Sequence, residues 1–566
     1  MSLSQLAFSL GLTLLAVSIG PALAADTLQE DNDARARRFI KSYEEAIRPM
    51  EIEVSRRWWD ANVSGKDADY QRKAEAEARL EVRLSEPGPF AELKAIRRRP
   101  IGDGLAARQI AVLYLEYLPR QVDPELLKRI IALSNQAEQQ FSVFRAVVEG
   151  RELTDNEIRR VLRESKDSAR RRAVWEASKQ VGRLLEPKLR RLVKLRNEAA
   201  RRLGFKDYHV MQLAVGEQSQ EQVLKLFDEL DGLTREPFRA AKAEIDAILA
   251  RDYGIPTAAL RPWHYHDPFF QESPEVFGRR GDDLYAALDI QKLCREFYAG
   301  IGLPIDDVLQ RSDLYERKGK NPHAFCTDID RQGDVRVLAN IVPDKMWLGT
   351  MLHELGHATY SSKNIPARLP YALRAEAHIL STEAVAMMFE KLADDAGWLR
   401  AMGVAVPDPQ GFRKSTVRVR RNRLLIFSRW CQVMFRFEKE LYANPDQELG
   451  RLWWDLVERY QEVRRPEGRN EPDYASKIHL VMSPAYYHNY MLGELFAAQM
   501  HHSIAREVLG GVAPAEAVYV GHPAVGRYMR ERVYVPGRTL DWQQLSRHAT
   551  GADLNAQAFA EDIREE

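Results

Sequence analysis

Apolar residues recur at i, i+3, i+4 and i+7 through most of the chain, with charged positions between them. That period gathers the apolar side chains on one face of an α-helix. It predicts helices within 33–64, 105–150 and 155–203. Start signals agree. Thr154-Asp155-Asn156-Glu157 has the form of a capping box, and Asp123-Pro124-Glu125 puts a proline at the first helical position. One region breaks the period. Residues 323–330 and 334–341 read as extended, joined by the polar Asp330-Arg331-Gln332-Gly333-Asp334, which predicts a β-hairpin. Another helix follows from about Pro343. The predicted fold class is mainly α, with a small β-hairpin beside that helix.

The N-terminal stretch differs from the rest. Residues 6–19 are almost wholly apolar, and Pro21-Ala22-Leu23-Ala24 then precedes Ala25-Asp26. A short apolar run with a small-x-small end predicts a secretory signal peptide over 1–24, cut after Ala24, and a periplasmic or secreted product. No Lys or Arg precedes the run, so a retained anchor is the alternative reading. No later run approaches the ~20 apolar residues of a membrane span. The length admits several domains or one large helical unit. No repeat or low-complexity tract divides the chain, and 25–566 is read as one unit.

Charge narrows the function. Lys plus Arg is 83 and Asp plus Glu is 82. No basic excess marks a nucleic-acid binder. Arg97-Arg98-Arg99 and Arg170-Arg171-Arg172 sit among acidic residues and read as solvated helix faces. Three cysteines, Cys294, Cys326 and Cys431, allow at most one internal bridge and have no zinc-site spacing.

The chemistry lies in His353-Glu354-Leu355-Gly356-His357. On a helix the two histidines project from one face, one turn apart. They can bind one Zn²⁺ per chain, with Glu354 placed as general base toward water. A catalytic zinc needs a third protein ligand. The helical segment 375–393 offers Glu376, His378 and Glu383 for it, and spacing alone does not choose among them. Glu390, two turns beyond Glu383, is suited to hold a histidine ligand by a hydrogen bond. The preceding hairpin gives an edge that can pair with an extended peptide. Equally, it can be a small stabilising element.

His353-Glu354-Leu355-Gly356-His357-Ala358-Thr359-Tyr360 with Thr382-Glu383-Ala384 resembles the gluzincin peptidases. More narrowly, it resembles the angiotensin-converting-enzyme (peptidyl-dipeptidase A) family and its relatives, thimet oligopeptidase and oligoendopeptidase F. The resemblance selects Glu383 as third zinc ligand. Trp453-Trp454-x-Leu456-x-x-x-Tyr460-Gln461 is similar to the same family, and Trp58-Trp59-x-x-Asn62 faintly so. Lys477-Ile478-His479 matches the family's lysine for the substrate's C-terminal carboxylate and its histidine near the scissile carbonyl. Tyr487-His488-Asn489-Tyr490 resembles the family's tyrosine pair, which makes Tyr490 an oxyanion donor and Tyr487 an aid to carboxylate binding. His323-Ala324 stands where the family has its substrate-binding His-Ala. The implied fold has two helical lobes around a deep channel.

Departures mark the differences. Tyr486 competes with Tyr487 because one extra residue follows His479. Asn489 replaces a chloride-binding arginine, and Met387 replaces a carboxylate behind the zinc. Glu390, Tyr486-Tyr487-x-x-Tyr490 and Gly493-Glu494 look more like the oligopeptidases. The sequence shows no counterpart to the family's carboxylate-binding glutamine. The resulting expectation is a monomeric zinc metallopeptidase acting on short peptides, with no nucleic-acid partner and no membrane association once the signal is removed. Release of C-terminal dipeptides is the leading mode and endo-cleavage the alternative. A non-catalytic peptide-binding protein on the same scaffold is the reading of another class.

Overall fold

The computed structural model describes residues 21–277 and 282–564. Most of the predicted signal peptide lies outside them. Among the described residues the chain is mainly α, with two small antiparallel strand pairs. No helix there is long and apolar enough to cross a membrane.

The elements used below are α1 Pro21–Ala46, α2 Arg48–Ser64, α3 Gly104–Tyr117, β1 Ala146–Val148, β2 Arg151–Leu153, α4 Ser168–Arg202, α5 Gln220–Tyr253, β3 Phe325–Asp328, β4 Val335–Leu338, α6 Lys345–Thr359, α7 Ile379–Glu390, α8 Pro409–Ala443, α9 Leu449–Gln461 and α10 His488–Glu507. Both start signals read from the sequence cap helices. Thr154 and Glu157 form a reciprocal capping box, and Asp123 accepts from Leu126 N–H.

The structure subdivides the long helical segments. Within 105–150, Pro119 opens a single 3₁₀ turn and Pro124 restarts the helix. The segment then ends in β1, which turns through Glu149 and Gly150 at positive φ into β2. This hairpin is too short for strand alternation to be seen in the sequence. Arg171 corrects the reading of Arg170-Arg171-Arg172 as a solvated face. It is fully buried, donates to Trp263 O at 2.8 Å and Ser165 O at 2.9 Å, and stacks on Tyr253.

Buried apolar residues fall into a large cluster running from Leu126 to Ile563, a separate one in the N-terminal helices, and a small one of Trp59, Ile329 and Leu338. The second includes Ile40, Leu93, Ile110 and Tyr117 and reaches Tyr371 and Ala372. The predicted hairpin is present as β3 and β4, with Phe325 opposite Leu338 and Asp328 opposite Val335. Beyond β4, Asp313 bonds Val337 and Ala339, so the outer edge of the sheet belongs to β3. Trp58 and Trp59 of α2 pack on Phe325, and Asn62 bonds Asn321 through both backbone and side chain. The tryptophan-asparagine motif thus fixes the N-terminal helices to the hairpin.

Helices α6 and α7 approach closely at Gly356. A β-carbon there would lie 2.9 Å from Ala386 Cα and 3.4 Å from its N. Replacing Gly356 by Ala should cost about 1–3 kcal/mol through overpacking against backbone, despite alanine's better helix propensity. An unchanged denaturation midpoint would contradict that packing account.

Candidate metal and peptide site

Asp344 caps α6 by accepting from Trp347 N–H at 2.7 Å. One turn separates His353 from His357, and α7 brings Glu383 across from them. The His353 and His357 Nε2 atoms are 3.2 Å apart, and His353 Nε2 is 3.7 Å from Glu383 Oε2. One ligand atom from each residue fits within 4.8 Å of the others. Two nitrogens held ~2.0–2.1 Å from a tetrahedral zinc lie about 3.3 Å apart, so the spacing fits that ion.

The other ring nitrogens are engaged. His353 Nδ1 is 2.9 Å from Glu390 Oε2, and His357 Nδ1 is 2.7 Å from Thr382 Oγ1. Such contacts fix the ring tautomer and leave Nε2 available. Burial opposes a charge on His353, but the Glu390 carboxylate raises it to about 9. His357 has no such partner, and burial lowers it to about 3.

Glu354 is buried, and desolvation pushes its carboxyl up to about 7, against the His353 charge and a hydrogen bond from the Cys326 backbone. That bond ties the candidate base to β3. His323 is exposed just before β3, its N–H donating to Asn321 Oδ1 at 2.8 Å, and Ala324 follows half-buried. Neither Glu376 nor His378 joins the cluster. Glu376 is half-buried near Asp328, which helps keep its carboxyl up at about 7 after desolvation has raised it. His378 caps α7, its Nδ1 accepting from Leu380 N–H.

Further along, His479 packs against Tyr487 at 5.3 Å between ring centroids. Burial, aided by Lys477, lowers it to about 4, so its ring is neutral at pH 7. Its Nδ1 has no hydrogen-bond partner. Tyr490 lies close enough to Glu383 that this carboxylate adds to burial in raising its hydroxyl. The two candidates for the first tyrosine separate here. Tyr486 hydrogen-bonds Tyr490 and senses Glu383. Tyr487 packs on Trp430 and under the Lys477 ammonium, 5.3 Å from the ring centroid. Gly493 lets α10 lie against α7, where its β-carbon would sit 3.4 Å from Glu383 Cβ. Glu494 pairs with Lys391 at 2.8 Å. Asn489 accepts from Gln218 Nε2 at 2.9 Å, in a buried amide contact with no cation in it.

Two contributors escaped the sequence reading. Gln271 accepts from Lys477 Nζ at 2.6 Å, so a glutamine does stand at the lysine. It lies in an irregular loop, where no periodicity exposes it. Thr382 immediately precedes Glu383, and only its helical placement reveals its contact with His357. A separate cavity of about 720 Å³ beside Met388, Lys391 and the first turns of α8 is lined by none of the three clustered residues.

A helical scaffold carrying a His-Glu-x-x-His helix and a carboxylate on the facing helix defines the metallopeptidase class of site. Residues 30–242 match the model of a peptidase family described as angiotensin-converting enzyme. The chain resembles that family, and the match supports a peptidase. It ends before α6, so it is independent of the clustered histidines. No curated protein matches the chain.

Glu390→Gln and Thr382→Val should each weaken zinc binding ~10–100-fold, measured by competition with a chelator. Equal affinity in both variants would mean that these contacts do not orient the histidines.

Proposed function

We propose that this protein is a zinc metallopeptidase that cuts short peptides, with release of C-terminal dipeptides as its principal mode. The convergence of His353, His357 and Glu383, each histidine tied through its other nitrogen, carries the reading. These three residues would hold the ion. Bound zinc would supply a Lewis acid and bring the pKa of water toward neutrality.

The chain's own groups do the rest. Glu354 accepts the proton of the attacking water and returns it to the leaving amine. Its raised pKa suits a group that must both take and give a proton near neutral pH. His479 and Tyr490 donate to the oxygen on which negative charge develops, where losing one donor costs on the order of 3 kcal/mol. The outer edge of β3, with His323 and Ala324 at its start, pairs with the extended peptide. Lys477, Gln271 and Tyr487 receive the peptide's carboxylate. A compact ammonium already held by a neutral amide is suited to that ligand.

A second reading, endo-cleavage, is favoured by the Glu390–His353 contact and the Tyr486–Tyr490 pair, which resemble the oligopeptidase arrangement. A non-catalytic binder has less support, because the ligand set and Glu354 are all present. We take the mature enzyme to be a monomer acting in the periplasm or outside the cell, in a channel between two helical lobes.

Glu354→Gln should lower kcat at least ~100-fold while zinc content stays at one per chain. Unchanged hydrolysis would remove Glu354 from the mechanism.

A peptide with a free C-terminus should be cut ~10–100-fold more efficiently than its amide, from a charge-assisted contact worth about 1.5–3 kcal/mol. Burial lowers Lys477 to about 8 against the opposing Asp267 charge. The ammonium is therefore present below that pH and lost above it, and the preference should fade as pH rises past 8. Equal cutting of acid and amide at pH 7 would favour endo-cleavage.

A further inference from the structure

Behind Lys477 lies a group of charges that the proposed reaction does not use. Lys477 is 7% exposed, Asp267 4% and Lys179 3%. Asp267 Oδ2 accepts from Gln271 N–H at 2.6 Å, whereas Oδ1 is buried without a partner. Lys179, on α4, makes one long contact with Ser476 Oγ at 3.4 Å. Its ammonium sits 3.2 Å from the ring centroid of Phe269, and that of Lys477 sits 5.5 Å from the same ring. Both lysines are thus gathered on one aromatic ring in the loop that carries Asp267 and Gln271.

The loop is held in place. Gln461 of α9 donates to both Phe269 O and Phe270 O, at 3.0 and 2.7 Å, and Trp175 donates to Pro268 O at 3.0 Å. His266 and Phe270 both have positive φ, 67° and 51°. A bulky side chain in that region is strained and persists where surrounding contacts over-determine it, a condition common at ligand clamps.

We propose that Asp267 and Lys179 form a second, buried charge layer behind Lys477, and that this layer sets how strongly the site prefers a free C-terminal carboxylate to an amide. The proposal rests on Lys477 being the carboxylate receptor. Asp267 helps keep Lys477 charged but repels an incoming carboxylate. Lys179 offsets that repulsion. With substrate bound, the four groups alternate as Lys179, Asp267, Lys477 and peptide carboxylate, two positive and two negative. Burial raises the Asp267 carboxyl, and the Gln271 hydrogen bond and both lysine charges oppose that shift. The other titratable groups facing the cluster are Asp473 with its partner Arg469, Glu272, Arg159, and the buried Cys431 thiol, which burial raises and keeps neutral. Asp473 is held by Arg469 at 2.6 Å and by Trp454 Nε1 at 3.1 Å. Burial lowers Lys179 to about 7, so the layer is sensitive to one added negative charge near neutral pH.

The test uses the full-length zinc-loaded enzyme and one blocked tripeptide, as free acid and as amide. The readout is the acid-to-amide ratio of kcat/KM at pH 6.5. Lys179→Met leaves Asp267 uncompensated and should lower the ratio at least threefold through KM for the acid. Asp267→Asn should raise it at least threefold. The double variant should return to within twofold of wild type. Opposite signs with mutual rescue are not expected from packing damage. Shifts of the same sign, or a double variant worse than either, would overturn the proposal. Should Lys179→Met fail to fold, Asp267→Asn alone decides, since an unchanged or lower ratio contradicts the charge layer. A wild-type ratio near one would instead refute the carboxylate reading of Lys477 itself.

Discussion

The contact between α6 and α7 is the constraint on which the site depends. Gly356 has no side chain, and Ala386 presents only a methyl group, so the two backbones come close together. That approach puts Glu383 opposite His353 and His357 at the spacing a tetrahedral ion needs. It also brings Thr382 and Glu390 to the remaining ring nitrogens. Helix α10 adds a second close approach, at Gly493, and carries Tyr490 toward Glu383. The chemistry is therefore held on packed helices, which fix geometry more tightly than loops.

The parts proposed to face the peptide are built differently. β3 is an edge strand, covered on one side by Trp58 and Trp59 and tied to Glu354 through Cys326. A peptide added to that edge would lie beside the candidate base. The end proposed to receive the carboxylate rests on an irregular loop, and its rigidity comes from Gln461 and Trp175 rather than from backbone ladders. One feature, burial, serves both parts. It lifts Glu354 toward neutrality and lowers Lys477, bringing a base and an ammonium into the range where small changes in charge alter their state.

Much of this was legible in the sequence. The helical period, the two capping signals and the hairpin 323–341 were readable because each has a local physical cause. The motif around His353 was readable for the same reason. Spacing alone did not choose Glu383 over Glu376 and His378, since that depends on which face of α7 meets α6; the choice came from the resemblance. The short hairpin from Ala146 was hidden by its length. Arg171 shows the limit of charge patterning. A guanidinium among charged neighbours was buried because two backbone carbonyls accept from it and an aromatic ring packs on it, although one terminal nitrogen stays unpartnered. Gln271 and Asp267 lie in a loop whose placement is set by residues nearly two hundred positions away. The family match covers the N-terminal helices, where the faint Trp58-Trp59-x-x-Asn62 likeness lies, whereas the stronger motifs cluster after residue 320.

The central claim is that three side chains from two helices make one metal site. X-ray absorption at the zinc edge of the purified protein tests it most directly. The account predicts one zinc per chain with two imidazole nitrogens and a carboxylate oxygen at ~2.0–2.2 Å. A sulfur scatterer at ~2.3 Å, or a shell with a single imidazole, would contradict it.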